Sequence, residues 1–158
     1  MLEVVQAFDR EHIVDLPTDD AATLERKLTF ARARFEDRGG WLKAHQRMAV
    51  LHQLAELVLE RRETFAKRIA REGGKPYTDA LVETDRAIDG IRSAAELLRT
   101  RGGTEIPMEL TPASEGRRAW TILEPIGVVA AISAFNHPLN LIVHQVAPAI
   151  ATGCPVIV

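Results

Sequence analysis

Residues 124–158 read EPIGVVAAISAFNHPLNLIVHQVAPAIATGCPVIV, and after Glu124 they contain no formally charged side chain. A membrane span does not fit, because Pro125, Pro138, Pro148 and Pro155 interrupt the stretch and Asn136, His137, Asn140, His144 and Gln145 cluster in its middle. A segment buried in a larger fold fits better. Ile126–Ser133 is an unbroken apolar run of strand length, the pattern of a parallel strand covered on both faces. Pro138 suits the first turn of a helix carrying Leu139, Ile142, Val143 and Val146 on one side. The spacing then predicts a separate short turn from Pro148 to Gly153, and Pro155–Val158 opens another buried strand. This is strand–helix–strand, the unit of an open α/β sheet.

In such sheets ligands bind beyond the carboxyl ends of the strands, which here places Ser133-Ala134-Phe135-Asn136-His137-Pro138 at a binding edge. His137 precedes a proline and is pushed toward an extended conformation, so Asn136 falls in the strand-to-helix corner. Its amide has two donors. Two roles are open to it: capping the helix, or stabilising charge that develops on a substrate oxygen.

Upstream, the pattern is helical. Leu16-Pro17-Thr18-Asp19-Asp20 forms a helix entry, followed by an apolar stripe at Ala21, Leu24, Leu28, Ala31 and Phe35, closed by Gly39-Gly40. A second stripe (Ala44, Met48, Leu51, Ala55, Val58, then Phe65 and Ile69) breaks at Arg61-Arg62, which predicts two consecutive helices. Glu72-Gly73-Gly74-Lys75-Pro76 ends the second. Thr78 and Asp79 are candidate caps for a third long helix with Leu81, Ile88, Ile91, Ala95 and Leu98 inward, ended by Gly102-Gly103. Residues 104–107 and 118–123 form an extended hairpin around a Pro/Ser/Gly turn. The start, MLEVVQAFDREHIVDL, reads as an exposed segment without the basic and apolar parts of a secretion signal.

The fold class expected is therefore α/β: N-terminal helices, an extended hairpin, then the first β-α-β of a Rossmann-like open parallel sheet. An apolar strand at the chain end leaves an unpaired edge, so the 158 residues are expected to be the front part of a longer protein. Of its 42 charged residues, 41 lie within residues 1–118, and the net charge is −2. That balance provides no basic surface for nucleic acid or an anionic membrane. One cysteine excludes an internal disulfide framework and suits a reducing cytoplasm. The histidine pairs His45/His52 and His137/His144 lack metal-site spacing, and Arg61-Arg62 and Arg117-Arg118 read as solvated charge.

Residues 124–158 resemble the aldehyde dehydrogenase superfamily, whose pattern is EPxGVVxxIxPWNFPL followed by APALAxGNxVVxKP. Arg47 with Leu51 and Leu54, EGGKP at 72–76, and Glu83 with Arg86 match in order, so the resemblance spans about residues 20–158. It implies oxidation of an aldehyde to an acid through a cysteine thiohemiacetal, with hydride passing to NAD or NADP. It implies that Asn136 holds the oxyanion and that Ile132, Ser133, Ala134 and Phe135 line the dinucleotide pocket. Residues 1–158 would be a partial NAD(P)-binding domain, and 104–123 part of a hairpin that pairs subunits in a homo-oligomer of the full-length protein. The catalytic glutamate and cysteine motifs of the family lie further downstream, so the catalytic domain is absent and this chain alone is expected to be inactive. Cys154 stands where the family has an asparagine and is expected to be a buried structural thiol.

Three departures mark the motif: Phe135 for tryptophan, Ala134 for proline and His137 for phenylalanine. Phe-Asn-His-Pro-Leu with Gly-Cys-Pro is similar to lactaldehyde- and phosphonoacetaldehyde-type branches, which act on small, often anionic aldehydes. His137 is then an active-site acid or anion contact, or a packing variant. Two further readings stand beside the oxidation: a non-catalytic helical interaction module, and a relative of the same fold that reduces acyl phosphates or thioesters.

Overall fold

A computed structural model describes residues 1–158. The chain opens with an antiparallel hairpin, β1 (Leu2–Val5) and β2 (His12–Leu16), whose register slips between Val4 and Val5. The exposed start expected from the sequence is thus a hairpin: the two strands are short and mostly exposed, so they carry little apolar alternation. The hairpin is tied to the next layer by the Ala7 N–H donating to the Arg71 carbonyl at 2.9 Å, and by Arg71 Nε donating to Gln6 Oε1 at 2.9 Å.

Helix α1 (Ala21–Glu36) starts where expected, because the Asp20 side chain accepts from the Thr23 N–H at 2.7 Å. Its stripe is only partly used. Ala31 is buried, whereas Leu24 and Leu28 remain exposed. Helices α2 (Ala44–Glu60) and α3 (Arg62–Gly73) follow with a break at Arg61, as the interrupted stripe predicts. Gly74 then turns the chain in the left-handed region, φ +66°, which a side chain would resist. Helix α4 (Tyr77–Thr100) begins one residue earlier than Thr78. Pro76 is its N-cap, and Thr78 and Asp79 lie inside the first turn, where an acidic group favours the positive helix end.

Helix α4 is the spine. Ala87, Ile88, Ile91, Ala94 and Ala95 meet Leu51, Ala55 and Val58 of α2, together with Val143, Ala147 and Ala151 of α5 (Pro138–Thr152), in one core. Ala66, Ile69 and Ala80 form a smaller core between α3 and α4. Alanine at so many contacts lets the helices approach closely around the few large side chains, of which Leu51 and Ile91 are fully buried. Each of these two contributes about 1.5–3 kcal/mol by leaving water.

Arg62 is not free surface charge. It grips Asp85 of α4 with both nitrogens, Nε to Oδ1 at 2.5 Å and Nη2 to Oδ2 at 2.6 Å, and so fastens the start of α3 to α4. The hydrogen bond from Arg62 holds the Asp85 carboxyl below its ordinary value, partly opposed by desolvation. A depressed carboxyl adds stability above its unfolded value, about pH 3.9, and loses it as pH falls through the folded value. Urea midpoints of the wild type and Asp85→Asn are therefore expected to differ by a small amount at neutral pH, as suits a half-exposed pair. The two should converge in acid, and a difference that persists there would contradict this account.

Past α4, β3 (Glu105–Ile106) and β4 (Ala119–Trp120) form the expected antiparallel hairpin, with Glu105 opposite Trp120. Strand β5 (Val129–Ala130) runs parallel to β6 (Val156–Ile157), with Val129 opposite Val156. The sheet is smaller than expected. Ladder bonds join the Val129 N–H to the Pro155 carbonyl and the Ala131 N–H to the Ile157 carbonyl, both at 2.8 Å. Coverage on both faces is not found within this chain: Ile126 is 90% exposed and Ile132 80%.

Helix α5 is also longer than expected. Pro148 sits inside it and starts no separate turn, and the helix ends at Gly153 in the left-handed region, φ +84°. A proline lacks the N–H that would bond four residues back, and this one lies on the exposed side near the helix end, where water can satisfy the freed carbonyl. Cys154 is buried, as expected of a structural thiol.

Candidate active site

The chemistry-bearing corner runs from the end of β5 into α5. Ala131 is buried and still paired to β6, and from Ile132 to Asn136 the chain stands open, with Phe135 91% exposed. Two side chains shape this opening. Gln145, two turns along α5, accepts from the Ile132 N–H through Oε1 and donates through Nε2 to the Ile132 carbonyl, each at 2.8 Å. It thus occupies the edge of β5 that β6 does not. Ser133 Oγ donates to the Pro138 carbonyl at 2.7 Å and folds the strand end over the first helical turn. The N–H groups of Ser133, Ala134, Phe135 and Asn136 make no hydrogen bond within the protein.

Asn136 does not cap α5. The N-cap is His137, which makes no side-chain cap bond, and Pro138 brings no N–H. The next two N–H groups, of Leu139 and Asn140, donate instead to Glu83 Oε1 at 2.9 and 3.2 Å. Glu83 comes from α4 and is only 2% exposed. Its carboxylate serves as the cap and also meets the positive end of the helix.

The second oxygen of Glu83 accepts from Lys75 Nζ at 2.6 Å. Lys75 also reaches the Asn136 carbonyl at 3.2 Å and His137 Nδ1 at 2.8 Å. An ammonium only donates, so Nδ1 is the acceptor and the neutral ring carries its proton on Nε2. His137 is therefore held from below by Lys75, with 40% of its side chain exposed. The Asn136 side chain makes no hydrogen bond of its own, and the residue is exposed on the open strand end. Both amide donors are left for a ligand.

The structure brings Ile132, Ser133, Ala134, Phe135 and Asn136 onto one open edge. What sequence reasoning missed is the support: Gln145, Lys75 and Glu83 appear there only as polar interruptions or as part of a motif. Glu83 was findable. It falls in phase with Ala80, Ala87 and Ile91 on the buried stripe of α4, and a carboxylate on such a stripe demands partners.

The sequence profile of the aldehyde dehydrogenase family matches residues 1–158. This chain belongs to that family. Among relatives, the 3-sulfolactaldehyde dehydrogenase of Priestia aryabhattai is 41% identical over 113 residues, which are 72% of this chain and 24% of that protein. The lactaldehyde dehydrogenase of Methanococcus vannielii is 32% identical over 160 residues, 99% of this chain and 30% of that one. Aldehyde dehydrogenase 21 from Physcomitrella patens, solved with its product succinate, superposes with a TM-score of 0.91 at 32% identity over 98% of this chain and 32% of its own. The glyceraldehyde-3-phosphate dehydrogenase of Methanocaldococcus jannaschii, solved with NADP, superposes with a TM-score of 0.87 at 33% identity over 97% of this chain and 32% of its own. The chain thus spans about a quarter to a third of the aldehyde dehydrogenases it matches. The α/β architecture expected from the sequence is that of the N-terminal part of this family, of which the Methanocaldococcus structure holds NADP and a betaine aldehyde dehydrogenase structure from Staphylococcus aureus holds NAD+. No helix is long and apolar enough to cross a membrane.

Proposed function

We propose that this chain supplies the oxyanion-holding amide and one wall of the nucleotide pocket of an NAD(P)-dependent aldehyde dehydrogenase that oxidises a small aldehyde to a carboxylic acid. The observation that carries it is Asn136: exposed, unbonded, and set at the carboxyl end of a parallel strand on a corner held by buried charge. When a cysteine thiolate adds to the aldehyde carbonyl, the oxygen acquires negative charge, and an amide with both donors free at this corner would stabilise the tetrahedral thiohemiacetal.

The open strand end suits a dinucleotide. Ile132 and Phe135 offer apolar surface, and four consecutive N–H groups, from Ser133 to Asn136, are unpaired and available to polar atoms. Ile132, Ser133, Ala134 and Phe135 would hold NAD or NADP, whose nicotinamide supplies the hydride acceptor. The chain's own residues orient that ring and the carbonyl relative to each other, and Ile132 and Phe135 exclude water from one side. Residues 1–158 act as part of an NAD(P)-binding domain. Cys154, buried against Thr152, is not the attacking thiolate.

The β3–β4 hairpin and its flanks expose Trp120, Ile122 and Leu123, which supports a role for residues 104–123 in pairing subunits of a homo-oligomer. A small aldehyde is supported by the sulfolactaldehyde and lactaldehyde enzymes among the relatives, and an anionic one by the sulfolactaldehyde enzyme alone. A cytoplasmic setting suits the free thiol. The interaction module and the acyl-phosphate or thioester reductase gain nothing from these relatives.

The test is a comparison. The 158-residue chain with 3-sulfolactaldehyde and NAD or NADP is expected to produce no reduced nucleotide. A chimera carrying this chain in place of the matching segment of the Priestia enzyme is expected to produce it. Turnover by the chain alone, or a folded chimera that binds nucleotide but never turns over, would overturn the proposal.

A further inference from the structure

The geometry points to Lys75 and Glu83 as positioning residues that set the orientation of the Asn136 corner, an inference that rests on the reading of Asn136 as the oxyanion donor. Lys75 lies just past the αL turn at Gly74 and Glu83 lies on α4, so both come from elements far from β5 in sequence. All three donors of the Lys75 ammonium have a partner: Glu83 Oε2, His137 Nδ1 and the Asn136 carbonyl. The bond to that carbonyl fixes the peptide plane joining Asn136 to His137. The bond to Nδ1 fixes the ring that follows. Glu83 fixes the first turn of α5 through the N–H groups of Leu139 and Asn140. The backbone on the helical side of Asn136 is therefore clamped at three successive points by one ion pair.

The pair is also protected from water, with the Lys75 side chain 16% exposed and that of Glu83 fully buried. Solvent and salt screen such a pair weakly, so it holds its geometry where a surface pair would fluctuate. Ala80 and Ala87 hold the same stripe of α4 with methyl groups, so packing between α4 and its neighbours does not by itself call for an ion pair here. What the charge adds is direction. The Asn136 side chain, which makes no bond of its own, is carried by a backbone whose helical side is held at the Asn136 carbonyl.

The experiment is heteronuclear NMR on the 158-residue chain and on the double variant Lys75→Met with Glu83→Gln, which removes both charges together and leaves no buried ion unpaired. In the wild type, at a pH where the imidazole is neutral, the ring 15N shifts of His137 are expected to report an unprotonated Nδ1 and a protonated Nε2. In the double variant the ring is expected to show mixed tautomers. The amides of Leu139, Asn140 and Leu141 are expected to exchange about ten- to a hundredfold faster, as the loss of charge-assisted bonds implies. Ala55 and Ile91 in the helical core should keep their protection. A wild-type ring protonated on Nδ1, or unchanged shifts and exchange in the variant, overturns the inference. Equal loss of protection at corner and core also overturns it, because the pair would then serve the fold as a whole. None of these readouts needs turnover, so an inactive chimera would count against the role of Asn136 and not against the clamp.

Discussion

Asn136→Ala in the chimera with the Priestia enzyme is expected to lower kcat by about a hundred- to a thousandfold, with KM little changed. The reasoning follows from where the amide sits. It makes no bond in the resting protein, so its removal leaves nothing unpaired and the corner stays clamped by Lys75 and Glu83. What is lost is an interaction that becomes strong only as the carbonyl oxygen turns into an oxyanion, and such losses appear in kcat. Asn136→Asp is expected to be at least as damaging, since a carboxylate would face developing negative charge. Steady-state kinetics with 3-sulfolactaldehyde check both. A change of less than about threefold in kcat would remove Asn136 from the chemistry, whatever its exposure.

Glu83→Ala is expected to destabilise the 158-residue chain by about 3 kcal/mol, read from urea unfolding followed by circular dichroism. The substitution strands three donors at once: the Lys75 ammonium and the N–H groups of Leu139 and Asn140. Breaking one side of a buried pair costs about 3–5 kcal/mol, and the residual exposure of Lys75 places the expectation at the lower end. That is a large share of the 5–15 kcal/mol typical of a domain. Glu83→Gln should cost less, because an amide oxygen still accepts from the helix. If Glu83→Ala cost under about 1 kcal/mol, the carboxylate could not be the cap that α5 depends on.

The sequence made the helices legible to the extent that their stripes are packed. The interruption at Arg61-Arg62 marks a real break, because both flanking stripes, Leu51-Ala55-Val58 and Phe65-Ile69, pack into the cores built on α4, Phe65 only partly buried. Leu24 and Leu28 make an equally regular stripe that stays exposed, so periodicity specifies a helix but not what covers it. The Pro148 turn was misjudged because proline is costly only where its missing N–H leaves a carbonyl stranded, and near the end of α5 on an exposed face that cost is small. The N-terminal hairpin was not readable, since strands that bury little have little alternation to show.

For the site, the corner was legible and its mounting was not. Asn136 is placed by a local rule, a residue two before a proline at a strand end, and that rule operates within six residues. Lys75 meets His137 across 62 positions and Glu83 meets Leu139 across 56, and no spacing rule reaches so far. Only the anomaly of a carboxylate among alanines pointed there. His137, weighed as an acid or anion contact or as a packing variant, has Nδ1 against the Lys75 ammonium, a contact no local pattern announced.

Gln145 has a consequence for how deep the opening can be. By answering both the N–H and the carbonyl of Ile132, it does for one residue what a neighbouring strand would do, and then offers no further rung. Pleating on that side of β5 must stop at Ile132, so Ser133 to Asn136 cannot be drawn into a longer ladder. A single amide on a helix thus acts as a doorstop, deciding where the sheet ends and where room for a ligand begins.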